Sequence, residues 1–196
     1  MKRKTITRIR RIYLLFSIAI GIISPLILCS FSPDFDPRVD PVSKFGILKN
    51  SAPIFTWSLV IFSGALLWNG MTIVGKFIKN SKYRFWLKNI LIFSSINLFF
   101  TGIIPMDQGI WHQIPALCFF LAYNFFVFLF GVLRSLSYVR KGFISVITGS
   151  LMLLSYLLVI PFESYGVAEL VYVLLIFFWN IIMWLRIIRI NNYTSQ

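Results

Sequence analysis

The chain has 196 residues, of which 58% are hydrophobic and only 13% charged, and it carries a net charge of +13. Soluble domains run at about 45–50% apolar and about 25% charged residues, so this composition excludes an ordinary soluble domain. The positive charge sits in short segments between long apolar runs, the pattern that orientation in a membrane requires, which argues against nucleic-acid binding.

Residues 1–11 hold six Lys/Arg and no acid. The apolar run 12–31 that follows is too long for the apolar region of a signal peptide, and no small-residue cleavage site follows it. It reads as a first, retained membrane span. Residues 32–52 form the longest polar connection. Pro33, Pro37 and Pro41 forbid a continuous helix there. Asp34, Asp36 and Asp40 interleave with them, and Phe35, Val42, Phe45 and Leu48 are apolar enough to fold the loop back over the helix ends.

The second span is 53–75, with Pro53 in its first turn where a missing N–H costs nothing. Gly64, Gly70 and Gly75 mark places where another backbone can approach. A basic-aromatic connector, 76–88, leads to a shorter third span, 89–104. Between the third and fourth spans lies the turn GIIPMDQGIWHQIPA (102–116), with the only histidine, His112, beside Trp111 and five residues after Asp107. Spans four, five and six are 114–133, 143–160 and 167–185, with Glu163 in the turn before the last and Glu169 just inside it.

Counted by side, the amino terminus, the second and fourth connectors and the carboxyl terminus hold sixteen Lys/Arg and no acid. The other three connectors hold three Lys/Arg, and all six acids lie in or beside them. The asymmetry places both termini in the cytoplasm. The expected architecture is a single all-α domain, a six-helix transmembrane bundle in a cell membrane, read as bacterial or archaeal.

Chemistry is sparse. Cys29 and Cys118 form no CxxC and no Cys/His cluster, so neither a zinc site nor a dithiol redox motif is read. Paired, they would link the first and fourth spans; the simpler reading is two buried thiols. One histidine excludes a bis-histidine haem and a His-rich zinc hydrolase. No metal and no cofactor is expected.

Two readings of His112 stay open. It pairs with Asp107 for acid/base work, or it hydrogen-bonds near the start of the fourth span while Asp107 sits in water, and the second is preferred. Clustered acids would let a charged His112 clamp the outer turns. Inside the membrane, Asn97, Asn124 and Asn180 read as interhelical glue, and similar depth on antiparallel neighbours joined by a short turn predicts an Asn97–Asn124 contact or a shared water. The ligand-binding candidates are Asp34, Asp36, Asp40, Asp107, Trp111, His112, Glu163 and Glu169. The expected function is non-enzymatic: a polar pocket on the outer side, formed by the first loop, the central turn and the top of the last span. It would take a lipid headgroup or a small ligand. The alternatives are a lipid-modifying enzyme using the His/Asp pair, a small transporter, or a complex subunit. Membrane lipids are the expected partners; a membrane-protein partner or a second copy stays open.

The stretch GIIPMDQGIWHQIPALCFF resembles the G-x-x-P-x-D…H…A-x-x-F segment of a prokaryotic membrane family catalogued as domain of unknown function 998. PDFDPRVDPVSKFGI followed by APIFTWSLVIFSGALLWNG is similar to that family's proline-rich loop and following span. The likeness covers residues 12–131, and it implies a six-helix fold without an assigned activity. Where the family tends to an acidic-Leu-Gly end to the loop, this chain has Lys44, Phe45 and Gly46. A fainter likeness runs to eukaryotic six-helix DRAM-type membrane proteins.

Overall fold

The computed structural model describes residues 28, 32–36, 38–136 and 139–193. The expected first span, 12–31, lies outside them except for Leu28, and so does Cys29. The described residues are all-α, with no strand among them. The helices are α1 (Ala52–Phe77), α2 (Ser81–Ile103), α3 (Ile110–Ser135), α4 (Val139–Ser155), a short α5 (Val159–Phe162) and α6 (Tyr165–Tyr193). Short 3-10 turns occupy Val42–Gly46, Met106–Gln108 and Tyr156–Leu158; the last of them joins α4 to α5 in one span.

Five helices of the described residues are long and apolar enough to cross a membrane. A 26-residue helix such as α1 is about 39 Å long, more than the roughly 30 Å hydrocarbon core. The surface agrees. Phe93, Ile96 and Phe100 on α2 and Leu117, Leu121 and Phe125 on α3 are exposed, as apolar as the interior. Trp57 and Trp111 stand exposed at one end of the bundle and Phe85 and Trp86 at the other, where aromatic belts form. The protein is a multi-pass membrane protein.

α2 begins well before residue 89, inside the segment read as a connector. The Asn80 side chain accepts hydrogen bonds from the backbone N–H groups of Lys82 and Tyr83, at 2.9 and 3.2 Å. It is a side-chain N-cap, and it starts the helix at Ser81 in spite of the charge density there.

Consecutive helices pack as antiparallel neighbours, and α6 packs against α4 and α1. The α3–α4 seam is the tightest. A Cβ on Gly131 would stand 2.6 Å from the Val146 nitrogen, and one on Gly149 would stand 2.9 Å from the Phe128 Cα. Gly142 faces the Gly131 carbonyl just as closely. Among the described residues the expected approach at Gly75 is not there: none of them lies within 4 Å of a Cβ at that position. In the core, Trp179 of α6 is fully buried and takes Phe126 and Phe130 of α3 edge-on, each at 5.7 Å. Its indole N–H donates to Ser145 Oγ of α4 at 2.9 Å.

The first loop folds over one end of the bundle. Phe45 is buried, stacks on Phe35 at 4.0 Å, and joins Leu28 and Phe55 in a small second core. The fully buried Ser51 donates to the Phe45 carbonyl oxygen at 2.8 Å and holds the loop to the start of α1.

Candidate functional site

The central turn positions His112. Gly109 has φ 58 and ψ −118, a backbone that a side chain strongly disfavours. Its carbonyl accepts from the N–H groups of His112 and Gln113, both at 3.1 Å, and this starts α3. Side chains in a first helical turn lean back toward the helix start. His112 does so and reaches Ile104, the residue that ends α2, where Nδ1 lies 2.6 Å from the carbonyl oxygen. A carbonyl only accepts, so Nδ1 carries the proton; in the neutral ring Nε2 then presents a bare lone pair. His112 is only 4% exposed, and Nε2 has no partner among the described residues.

Nε2 is left over beside a cavity of about 100 Å3 beneath the first loop. Six phenylalanines, among them Phe45, Phe119 and Phe120, stand in its largely apolar wall, and Ser43, Ser58, Thr101, His112 and Glu169 are its polar residues. Glu169 stands in the second turn of α6. Its Oε2 accepts from the Val42 N–H at 2.8 Å. The loop is fastened twice more, by Ser43 Oγ donating to Met106 Sδ at 3.5 Å and by Ser164 Oγ donating to the Val39 carbonyl oxygen. A strap thus runs over the cavity and is tied to the central turn and the last helix.

Of the eight ligand-binding candidates, the cavity includes His112 and Glu169. Asp34, Asp36, Asp107 and Glu163 are exposed, and Trp111 is 70% exposed. Glu163 is the left-handed residue, φ 49, that ends α5. Asp40 serves the loop itself. Its carboxylate pairs with Lys44 at 2.6 Å and accepts from the Asp36 N–H at 2.9 Å. Partial burial works to raise its pKa, but the Lys44 bond and charge and the Asp36 N–H outweigh it and hold the carboxyl below its usual value.

Two expectations need correction. The His112 ring nitrogen bonds to a backbone carbonyl rather than to Asp107 or another carboxylate, so what it fastens is the central turn to the end of α2. Asn97 and Asn124 make no direct hydrogen bond to each other. Asn97 donates to the Phe93 carbonyl one turn back, and Asn124 donates to the Gly149 carbonyl of α4 at 2.9 Å. Both amides satisfy a neighbouring backbone instead of crossing the α2–α3 interface.

The asparagine with a network is Asn180. It donates to Tyr123 Oη at 2.7 Å and to the Ile176 carbonyl at 2.8 Å, and accepts from Asn69 Nδ2. Asn69 and Tyr123 were missed in the sequence because Asn69 lies in a Trp-Asn-Gly run and Tyr123 in a phenylalanine-rich one. Their meeting depends on which non-consecutive helices adjoin. Among the described residues no three His, Cys, Asp or Glu side chains group closely enough to hold a metal.

Compared with known proteins, a family model described as Protein of unknown function (DUF998) matches residues 15–186. No curated protein and no solved structure matches the chain.

Proposed function

The chain belongs to the DUF998 family of proteins of unknown function, and from the geometry of its acid-rich end we propose a non-enzymatic binding role. The cavity beneath the first loop takes a small amphipathic molecule or one end of a lipid. The carrying observation is the buried, unpartnered Nε2 of His112 beside a wall of phenylalanine rings. An acceptor at Nε2 and a carboxylate at Glu169 select a ligand with an O–H or N–H donor on an apolar body. Apolar cavities near 150 Å3 take benzene-sized guests, so a cavity of about 100 Å3 sets the buried part at no more than about one ring.

The test uses two probes of one size in nanodiscs, 4-fluorophenol and fluorobenzene, followed by 19F NMR against empty nanodiscs. Fluorophenol is expected to bind about tenfold tighter, the worth of one good hydrogen bond. Ala116→Leu, which fills the cavity from its wall, is expected to abolish both. His112→Phe is expected to abolish the difference between them. Equal binding of the two probes to the wild type, or binding that survives Ala116→Leu, would refute the role.

The proposed topology adds the segment 12–31 as a sixth span and puts both termini in the cytoplasm. Its support is the segregation of sixteen Lys/Arg on one side and all six acids on the other. The proposal extends to a bacterial or archaeal plasma membrane. With Cys29 and Cys118 changed to Ser, an impermeant maleimide is expected to label Asn50→Cys on intact cells. Lys79→Cys is expected to react only after permeabilisation; the reverse pattern would invert the topology.

A further inference from the structure

The opposite end of the bundle holds a second feature that the cavity does not explain. Arg134, near the end of α3, lies half-buried with its guanidinium 4.0 Å from the centre of the Phe77 ring. Its Nη1 is buried and has no partner among the described residues. Arg186 of α6 is also half-buried, toward the same end of the bundle. Arg186 in turn donates through Nη1 to the Lys141 carbonyl oxygen at 3.1 Å, so a backbone acceptor satisfies part of it, and no acidic side chain pairs with it among the described residues.

Lys141 is followed by Gly142, which packs on Ser135 beside Arg134, so the two guanidiniums lie at one end of the bundle; like charges there repel, and an anion between them relieves the repulsion. The chain supplies no such side chain. Its six acids are Asp34, Asp36, Asp40, Asp107, Glu163 and Glu169. Arg134 stands 22 residues along α3 from His112, about 33 Å at roughly 1.5 Å per residue. Glu169 is 17 residues from Arg186 along α6, about 25 Å away on the same measure. No acidic side chain of the chain lies at that end of the bundle. Phe77 fixes the plane of the Arg134 fork from one side, and a fork with unused N–H donors matches the paired oxygens of a phosphate ester.

We propose that Arg134 and Arg186 form a phosphate-ester site at the basic end of the bundle. A phospholipid headgroup and a soluble phosphorylated small molecule present the same chemistry, so the test has an arm for each. The full chain in detergent is titrated with phosphatidylglycerol, with phosphate-free diacylglycerol, and with glycerol phosphate. Bound lipid is read by native mass spectrometry and protection by thermal shift.

Phosphatidylglycerol is expected to stay bound where diacylglycerol does not. Arg134→Gln and Arg186→Gln are each expected to weaken binding about tenfold, as for loss of one charge-assisted bond. Lys82→Gln, which removes an exposed charge near the same end, is expected to leave it unchanged. Protection by phosphatidylglycerol alone assigns the site to a lipid. Protection by glycerol phosphate, lost in the same variants, assigns it to a soluble ester. If Arg134→Gln fails to fold, Arg186→Gln carries the test. A folded Arg186→Gln that responds to both probes like the wild type would overturn the site, and so would a Lys82→Gln loss as large as the arginine losses.

Discussion

Gly131→Leu is expected to abolish the native fold of the purified protein. A single Cβ at this position already stands 2.6 Å from the Val146 nitrogen and 2.9 Å from the Ser145 carbonyl carbon, both backbone atoms that no rotamer change can move. Even Gly131→Ala gains at most about 1 kcal/mol in helix propensity. Overpacking costs typically about 1–3 kcal/mol where side chains can give way, and more where they cannot. The clash therefore wins for Ala, and for Leu it separates α3 from α4 along their whole seam. Gly75→Leu is the control: it has open space around it and is expected to be near neutral. Thermal unfolding in detergent and the monodisperse fraction on size exclusion measure both. Equal behaviour of the two leucine variants would show that the seam is not close-packed.

Asn180→Leu is expected to be the most damaging change to a polar residue. It strands the Asn69 amide and the Tyr123 hydroxyl in the buried core. Unpartnered buried groups cost about 1–3 kcal/mol each, while interhelical bonds in membranes average only about 0.6 kcal/mol. Two stranded groups set the expected loss at about 2 kcal/mol, between those bounds. Asn124→Leu removes one half-buried bond to the Gly149 carbonyl and is expected to lose less than half as much. The double variant Asn69→Leu, Asn180→Leu should cost less than the sum of the two, because it removes both amides of one pair. Strict additivity in a thermal unfolding cycle would disprove the coupling.

Hydropathy made the membrane-crossing runs legible, because each is a property of one continuous stretch. The start of α2 was not, since Lys82, Arg84 and Lys88 look like a connector and only the Asn80 side chain turns them into a helix. For His112, the sequence pattern suggested its depth through the neighbouring Trp111. Its partner stayed hidden because the Ile104 carbonyl is backbone, and every residue carries one. The acids misled for a related reason. Clustering along the chain suggested a shared pocket, yet Asp40 turns to its own loop and only Glu169 reaches the cavity. The glycine seam of α3 and α4 was legible in principle, but Gly131, Gly142 and Gly149 stand in two different spans and signal nothing until those spans are aligned.

The pair Asn69 and Asn180 is separated by 111 residues, with α2 through α5 between them. A ribosome adding about 5–20 residues per second leaves the first amide waiting roughly 6–20 seconds for the second to be made. Through that interval three further crossings are inserted around α1 while its most buried amide still lacks its designated mate. A nascent chain stalled before α6 carries an unsatisfied amide into the lipid. The last helix brings the acceptor for that N–H, so the Asn69 donor is satisfied only once the whole chain is made.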